Sequence, residues 1–549
     1  MKSFLISLCA LTLLMLPGIV SAQPVVSNVS YVQESDGAGN TRVRVTYDLA
    51  SPNGPCDVEL QYSTTGAAPF TAASSTIGAV GAGVVPGTGL MIDWAVAADL
   101  PGQTVTGNFV VRVLANDGVE LLEFVSVPAG TFTMGNSEVG DDLTFVGPEE
   151  LPRHEVTLSA YDIGKFEVTN AQFATVMNWA LAQGYLAGDT AGAAYTGQAR
   201  VYLMTLDSFS SRQLIFDTSL EDSRSMIEWT GSEFAPRTRD SYDMSNYPVN
   251  FVSWFGAVSF CNFLAEMEGK PLAYNTSTWT LVDADPVAAG LQYVASYRLP
   301  TESEWERAAS WDGIKHWIYG TTTDTISTNR AIYGNVNPMG LSASPLASPV
   351  GWYNGINISP STSTQTIDSP SPVGAYDMSG NMTERVHDSK VSMVGYTADA
   401  KVNPTGAAGL GNKVSRGGSW NSGGANCRTA KRTWSSASNL NSTLGFRVAA
   451  VRQHVPLSIT GTVAQSASTS NATETFTFTF GEAVTGFDIT DIAVTNATLA
   501  NFTTVSADVY TVEVTASALG TVLIEVSTGA GTGAGSLPSG AALLGYIYE

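Results

Sequence analysis

Two different hydrophobic periodicities divide this sequence into three parts. Apolar and polar residues alternate near the start of the chain, as from Val43 to Leu49, and again near its end, as from Phe476 to Phe480. A period of two is typical of strands that bury one face. Between these stretches apolar residues recur at helical spacing instead. The 549 residues are enough for roughly three or four separate cores, so each pattern is expected to have its own domain.

These patterns predict where the domains begin and end. We expect an Ig-like β-sandwich over 23–118, a mixed α+β domain over 119–455, a second β-sandwich over 456–528, and a Gly/Ser-rich tail over 529–549 that serves as a linker or frayed end. Three helices are predicted in the middle domain, capped by Asn170, by Ser253, and by a capping box of Thr301 and Glu304. Two insertions, 186–246 and 272–296, are expected to be surface loops.

The first residues and the charge restrict where the protein works and what it binds. Residues 1–22 have the basic start, apolar run and small residues of a secretory signal cleaved after Ala22, so a secreted, periplasmic or cell-surface protein is expected. No later stretch reaches the ~18 apolar residues of a transmembrane helix. A formal charge of −23 would repel phosphate backbones, and nucleic acid is therefore not an expected partner.

The cysteines of the mature chain indicate no disulfide scaffold. Cys56, Cys261 and Cys427 are an odd number, and Cys261 lies on an apolar helix face, which predicts a small buried hydrophobe. Cys427 lies in RGGSWNSGGANCRTAKR, residues 416–432. Two interpretations of this thiol remain open. The neighbouring Arg428 and Arg432 would lower its pKa and make it reactive, or it is packed and inert.

Seven segments of the middle region occur in a characteristic order. They are FVSVPAGTFTMGN (124–136), RHEVTLSAYDIGKFEVTNAQF (153–173), YPVNFVSWFGAVSFCNFL (247–264), YRLPTESEWERAA (297–309), GAYDMSGNMTE (374–384), SRGGSW (415–420) and LGFRVA (444–449). This series resembles the formylglycine-generating enzyme family, the sulfatase-modifying factor domains. The resemblance implies a variant of the C-type lectin fold, an irregular α+β fold. Residues 480–502 resemble a bacterial Ig-like repeat.

The resemblance implies an oxidase site in which one residue is missing. Enzymes of the family hold copper with two cysteines five residues apart, after a GGS motif. The matching positions here are Ser422 and Cys427, and Ser419 matches a position beside them. Copper(I) prefers paired thiolates, which makes copper doubtful. Ser419, Ser422 and Cys427 are nevertheless the candidate catalytic residues.

The resemblance also implies a calcium site. In the family a loop binds calcium through one side-chain oxygen, two main-chain carbonyls and a glutamate, which correspond to Asp377, Gly380, Met382 and Glu384 here. Two carboxylates at a glycine turn provide the hard oxygen ligands that calcium requires. The four histidines lie far apart in the sequence, which argues against a three-histidine iron site, and His387 is expected to be a surface residue.

Two functions remain open at this point. The first is a binding or scaffold protein that has lost the copper pair and takes a protein, peptide or glycan ligand. Residues 416–432 also resemble the variable segment of diversified lectin-fold ligand binders, although about 100 residues follow them here. The second is a protein-cysteine oxidase, or an enzyme of related chemistry, that works through Cys427. Family resemblance predicts fold better than chemistry.

Overall fold

The computed structural model describes most of the chain outside its first residues. The described residues are 24–35, 41–64, 70–101, 109–116, 121–188, 198–203, 213–219, 224–282, 296–390, 396–406, 409–451, 457–481, 483–526, 530–531 and 542–549. The predicted signal segment, 1–22, lies outside them. Parts of both predicted insertions and of the predicted tail lie outside them too.

The N-terminal domain is the expected sandwich of two sheets. One sheet has the strand order β1-β2-β7-β5, and the other has β4-β3-β6 with β8 also pairing to β3. The alternating residues Val43, Val45 and Tyr47 point inward and pack with Leu60 and Trp94 in a single core. Its elements are β1 (Val25–Ser35), β2 (Thr41–Ala50), β3 (Cys56–Ser63), β4 (Thr71–Ala72), β5 (Thr76–Gly78), β6 (Gly81–Val84), β7 (Gly87–Trp94), α1 (Val96–Asp99) and β8 (Val110–Asn116).

The middle domain combines helices with many short strands. Its helices are α2 (Gly140–Thr144), α3 (Asn170–Ala182), α4 (Trp254–Met267) and α5 (Glu302–Ser310). Its strands are β9 (Phe124–Val127), β10 (Gly130–Met134), β11 (His154–Leu158), β12 (Tyr161–Gly164), β13 (Leu186–Ala187), β14 (Arg200–Leu203), β15 (Gln213–Asp217), β16 (Ile227–Trp229), β17 (Phe234–Pro236), β18 (Thr238–Arg239), β19 (Tyr242–Asp243), β20 (Tyr274–Asn275), β21 (Thr280–Leu281), β22 (Ser296–Arg298), β23 (Thr383–Ser389), β24 (Lys401–Val402), β25 (Asn412–Arg416), β26 (Thr433–Ser436), β27 (Leu444–Phe446) and β28 (Ala449–Val451).

The three predicted helices are present, with one cap moved by a residue. Ser253 accepts a hydrogen bond from the Gly256 amide, and Thr301 forms the expected capping box with Glu304. The cap of α3 is Thr169, which forms a capping box with Gln172, whereas Asn170 is the first helical residue. The prediction of Asn170 was wrong because a threonine followed three residues later by glutamine satisfies two free amides, and a lone asparagine satisfies one.

Helices α3 and α4 form the centre of the main core. The Phe173 and Phe260 rings stack with centroids 5.7 Å apart, and Phe446 of β27 packs edge-on against both. Cys261 is fully buried in this core, and burial raises its thiol pKa. Its predicted role as a small hydrophobe is confirmed.

The first insertion is more than a surface loop. Strands β13, β14 and β15 form a small sheet, and its residues Val201, Ile215 and Phe216 are buried in the main core against α3 and α4. The surface-loop prediction was wrong for this part of 186–246. The strands are formed by short runs of β-branched and aromatic residues. Polar residues separate these runs, so the strands were not apparent from the sequence.

The C-terminal domain is the second sandwich, and it includes residues 542–548 of the predicted tail. Its sheets have the orders β29-β31-β34-β33 and β30-β36-β35-β32. The last strand pairs antiparallel with β35, and Leu544 and Tyr546 are buried in the domain core. The elements are β29 (Leu457–Gly461), β30 (Ser468–Thr469), β31 (Thr473–Phe480), β32 (Ile492–Thr495), β33 (Ala497–Ser506), β34 (Val509–Ala516), β35 (Gly520–Val526) and β36 (Ala542–Tyr548).

The prediction of a frayed tail is therefore wrong for residues 542–548. Glycine and serine dominate 527–541, whereas the segment ALLGYIY that follows is apolar enough to bury one face. Composition averaged over the whole tail concealed this strand. Among the described residues, no helix has the length and apolar character needed to cross a membrane.

We expect Leu544→Ala to weaken the C-terminal sandwich. Leu544 is 4% exposed, and truncation of a buried leucine costs about 2–5 kcal/mol. Hydrogen exchange of the β35 amides, which pair with β36, measures this loss locally even though the chain has several domains. Leu519→Ala is the matched control, because Leu519 is 71% exposed. Unchanged protection of β35 in Leu544→Ala would mean that β36 adds no stability to the sheet.

Candidate functional site

The segment 416–432 begins with a glycine pair that has a backbone role. Gly417 and Gly418 have φ angles of +88° and +68°, a region that side chains other than glycine rarely adopt. A Cβ on Gly417 would lie 3.1 Å from the Trp305 ring, and one on Gly418 would lie 2.8 Å from Cys427 Sγ. Both glycines are needed for the turn and for the close packing beneath it.

Ser419 and Ser422 lie together in a hydrogen-bonded turn. The Ser422 amide donates to the Ser419 carbonyl at 2.9 Å, and the Ser419 amide donates to Ser422 Oγ at 3.0 Å. The Ser419 hydroxyl donates to Asn421 Oδ1 at 2.9 Å and lies 3.2 Å from Ser422 Oγ. Both hydroxyls thus have partners within the turn. Nothing in these contacts activates either serine as a nucleophile.

Cys427 ends the short 3₁₀ turn Gly424–Cys427 and faces inward. It is fully buried in a small cluster with Ile318 and Tyr319, and burial raises its thiol pKa to about 12. Its Sγ contacts the Gly423 carbonyl at 3.8 Å. A reactive cysteine has a lowered pKa and partial exposure. The burial and the raised pKa agree with the packed interpretation of this thiol and not with a lowered pKa, and its reactivity stays a prediction.

The arginines next to Cys427 do not lower its pKa, because they bind carboxylates instead. Arg428 is fully buried, and all of its five N–H groups are used: Nη1 contacts Asp142 and Glu150 at 2.7 and 2.8 Å, Nη2 contacts Glu150 and the Phe145 carbonyl at 2.8 Å, and Nε contacts the Ala425 carbonyl at 2.9 Å. Its charge therefore stabilises two buried acids rather than a thiolate.

Two further arginines hold the ends of the same segment. Arg416 is buried, donates to Glu306, and donates to the carbonyls of Thr429 and Lys431 at 2.9 and 2.8 Å. Burial alone would raise the pKa of Glu306, but Arg416 and His316 lower it to about 2. Arg432 forms a bidentate pair with Glu302 at 2.5 and 2.8 Å. Helix α5 is thereby joined to both ends of the segment.

As arranged, these residues do not fit a copper(I) site. Copper(I) takes accessible, deprotonated sulfur ligands, whereas Cys427 is a buried thiol with a raised pKa. The first ligand position has the Ser422 hydroxyl, which is bonded within its own turn.

The predicted calcium residues are brought close together, but their oxygens have protein partners. Glu384 is fully buried and accepts from Arg447 at 2.6 Å through both oxygens, and also from the Trp305 indole at 2.8 Å. Asp377 accepts from the Gly351 amide at 2.6 Å. Glu384 thus has a guanidinium where a cation would bind. As arranged, these residues do not fit calcium, and calcium binding stays a prediction.

A third acid in this region was not found from the sequence. Glu167 is buried and accepts from Asn381 Nδ2 at 2.7 Å and from the Met382 amide at 2.9 Å. Burial, together with the charges of Asp377 and Glu384, raises the pKa of Glu167. Burial also raises the pKa of Asp377, to about 6. Gly380 and Met382 lie between the two acids Asp377 and Glu384. The Gly380 amide donates to the backbone carbonyl of Gly417, and the Met382 amide donates to Glu167.

The three histidines within the described ranges lie in separate environments, and His454 lies outside those ranges. His316 contacts Glu306 at 3.1 Å, and His154 packs on Tyr396 with centroids 4.7 Å apart. His387 packs beside the rings of Trp254 and Tyr274, and burial lowers its pKa to about 3. His387 is half-buried, because these aromatic neighbours cover part of the ring. Groups of three or more residues suited to holding a metal do not occur within the described ranges.

Comparison with known proteins agrees with this architecture. The sulfatase-modifying factor enzyme 1-like domain family matches residues 111–452. The chain belongs to this family. A bacterial Ig-like domain family matches residues 453–540, and the resemblance noted at 480–502 is confirmed. The predicted fold class, an α+β sulfatase-modifying factor domain with flanking all-β domains, is confirmed as well.

Relatives of this sulfatase-modifying factor domain are distant. The chain is 27% identical over 353 residues to the formylglycine-generating enzyme of Mus musculus, covering 61% of this chain and 76% of the mouse protein. It is 25% identical over 351 residues to the Bos taurus enzyme, covering 61% and 75%. Among solved structures, Treponema denticola variable protein 1 is 21% identical, with 60% of this chain and 95% of that chain covered and a TM-score of 0.37.

The acidic partners of the site arginines could not be found from sequence. Asp142 and Glu150 lie 286 and 278 residues before Arg428. The only sequence signal is that arginines occur within otherwise apolar or glycine-rich motifs, in SRGGSW, NCRTA and LGFRVA. An arginine in such a context is seldom buried without a partner.

Gly418→Ala is expected to disrupt the loop of this sulfatase-modifying factor domain, whereas Gly423→Ala is not. The added Cβ at Gly418 would meet Cys427 Sγ at 2.8 Å and require a strained φ, while a Cβ at Gly423 meets nothing within 4 Å. A strained backbone costs about 1–3 kcal/mol. Labelling with iodoacetamide followed by mass spectrometry should detect Cys427 in Gly418→Ala only. Equal protection of Cys427 in both variants would contradict the packing role of Gly418.

Arg428→Met should destabilise the middle domain strongly. It leaves Asp142 buried without its cation and leaves Glu150 with only Lys431 at 3.7 Å, and breaking a buried ion pair in this way costs about 3–5 kcal/mol. Arg153→Met is the control, since Arg153 is partly exposed and lies 3.6 Å from the exposed Glu138; such pairs contribute about 0–1 kcal/mol. Urea unfolding followed by tryptophan fluorescence compares the two variants. Similar midpoints would show that the buried network is not stabilising.

Proposed function

We propose that this protein is a binding or scaffold member of the sulfatase-modifying factor family and does not act as a copper-dependent cysteine oxidase. The observation that carries the proposal is the state of the two positions that the family uses for copper. Ser422 has no sulfur and is bonded to Ser419, and Cys427 is a buried thiol with a raised pKa. The scaffold around them is intact, with its buried arginines paired.

The surface beside the segment supports a protein or peptide ligand over a glycan. Helix α2 and its flanks expose Val139, Leu143, Phe145 and Val146, with 52%, 63%, 48% and 42% of each residue accessible. Arg428 holds this stretch against the segment through Asp142 and the Phe145 carbonyl. Exposed apolar patches beside polar rims are typical of protein interaction sites. A role outside the cytoplasm, proposed from the sequence of residues 1–22, fits such a function.

The second candidate is a protein-cysteine oxidase with an altered site. It is favoured by the names of the mouse and bovine relatives, both of which are formylglycine-generating enzymes. For this chemistry Cys427 would have to become exposed and lose its proton, which its burial opposes.

Copper(I) binding by the whole mature chain distinguishes the two candidates. We expect neither wild type nor Cys427→Ala to compete with a copper(I) chelator, because one buried thiol is a poor site. Neither should convert a cysteine in a peptide carrying the CxPxR sequence to an aldehyde. Ser422→Cys is the matched variant, since it restores the second sulfur without changing side-chain size much. This variant tests whether the absence of a second sulfur ligand is what prevents copper binding.

The outcomes are read by chelator competition and by mass spectrometry of the peptide. Copper binding by wild type that is lost in Cys427→Ala, together with an aldehyde product, would refute the proposal and establish an oxidase. Copper binding only in Ser422→Cys supports it. Direct binding of peptides to the apolar stretch at α2 is then tested with Leu143→Asp, which should weaken binding without unfolding, because Leu143 is largely exposed.

A further inference from the structure

A separate cleft lies beside the start of α5. Its volume is about 340 Å³, the size of a site for a small ligand or a single side chain. Strands β10, β11, β23 and β24 and the start of α5 contribute to it. The lining residues used below are Met134, His154, Asp388, Tyr396, Lys401 and Pro404.

Asp388 is a buried carboxyl group in the lining of this cleft. It is 7% exposed, and its Oδ2 accepts a hydrogen bond of 2.7 Å from the Glu302 amide at the first turn of α5. Its Oδ1 lies next to Gly406, where an added Cβ would be 2.4 Å away. Gly406 is therefore required for the loop to pass over the carboxyl group, and Asp388 lies between the loop and the helix.

Among the described residues, no cation forms an ion pair with the Asp388 carboxylate. Glu302 is paired with Arg432, and Glu304 is paired with Arg298 at 2.6 Å. Lys413 interacts with Asp388 electrostatically, but its hydrogen bond goes to the His387 carbonyl at 3.1 Å. Burial first, and the charge of Glu302 second, raise the pKa of Asp388 to about 7, although the Glu302 amide and the charge of Arg432 act to lower it.

The remaining charged groups face the cleft from its walls and opening. His154 Nδ1 lies 3.3 Å from the Pro152 carbonyl, which accepts a hydrogen bond from it, and burial lowers the pKa of His154, which favours the neutral ring. Tyr396 is covered by His154 on one side and by the Arg432 guanidinium, 4.4 Å from its ring. Lys401 lies near Asp399 at 3.8 Å with 41% of its side chain exposed. The cleft is thus acidic at its base, with a cation at its edge.

We propose that this cleft binds an alkylammonium group, with Asp388 as its counter-ion and Met134 and Pro404 against its hydrocarbon part. An ammonium group supplies the cation that the buried carboxylate lacks, and a buried acid is stabilised most by a charge-assisted hydrogen bond. A neutral alcohol supplies no charge, and the ionised Asp388 itself repels an anion. The group could come from a free amine or from a lysine side chain. This inference does not depend on the function proposed for the segment 416–432.

The test measures the binding of small probes of similar size to the whole chain by saturation-transfer NMR titration. n-Butylamine should bind, butan-1-ol should bind at least roughly tenfold more weakly, and butyrate should not bind, since a hydrogen bond to a charged group contributes about 1.5–3 kcal/mol. N-acetyl-lysine methylamide distinguishes the two sources: binding of this probe assigns the cleft to lysine side chains, and binding of butylamine alone assigns it to free amines.

The pH dependence follows from the need for a carboxylate. Binding of the cation requires Asp388 to lose its proton, so affinity should rise about tenfold between about pH 6 and about pH 8, while the amine stays protonated because alkylamines titrate near ~10.4. Asp388→Asn keeps an oxygen to accept from the Glu302 amide and should lose roughly tenfold or more in affinity.

Lys401→Ala gives a second, opposite readout that does not depend on the folding of Asp388→Asn. Removing the cation at the edge should strengthen butylamine binding about twofold, the modest effect expected for a partly exposed charge. Equal binding of butan-1-ol and butylamine, an affinity that does not change with pH, or an unchanged affinity in a folded Asp388→Asn would each overturn the proposal. Weaker binding in Lys401→Ala would do so as well.

Discussion

The middle domain depends on the buried ion pair between Glu384 and Arg447. Both side chains are fully buried, and Arg447 also donates to the carbonyls of Gly164 and Tyr376 at 2.8 Å. The pair therefore joins strands β23 and β12 and the chain after β27, and the Trp305 indole adds α5. The short strands here share few ladder bonds, and a charge pair at their crossing holds them in one arrangement. Removal of either partner would leave an uncompensated buried charge.

The same chemistry repeats around the segment 416–432, and it decides what the segment can do. Arg416, Arg428 and Arg432 each bind carboxylates from α2, α5 or the turn after α2. These pairs hold the turn so that Cys427 points inward. Because the guanidinium groups are paired with carboxylates, they do not stabilise a thiolate at Cys427. A site built in this way presents its side chains at fixed positions. It does not suit chemistry at a thiol that must be both exposed and ionised.

Local sequence signals predicted local structure well. The alternation in β2 and β31, the cap at Ser253 and the capping box at Thr301 each depend on residues a few positions apart, and all are present. Signals failed where partners are distant. Nothing near Arg428 in the sequence identifies Asp142 or Glu150, and nothing near Asp388 indicates that Gly406 covers it. The strand β36 was missed for a different reason, because composition averaged over a glycine-rich segment hides seven apolar residues at its end. The thiol of Cys427 was open to two interpretations because its pKa depends on these distant contacts.

The separation between scaffold and reactive positions explains how the serine at 422 is tolerated. The ion pairs of Arg416, Arg428 and Arg447 include neither Ser422 nor Cys427. The turn at Gly418 requires only that the side chain at 427 be small enough to pack beneath it. Loss of one sulfur therefore removes no contact on which folding depends. The Ser422 hydroxyl even adds a bond to the Ser419 amide that closes the turn. In such a fold the chemistry of the loop changes at little cost to stability, and the shape of the loop is retained because the arginines hold it.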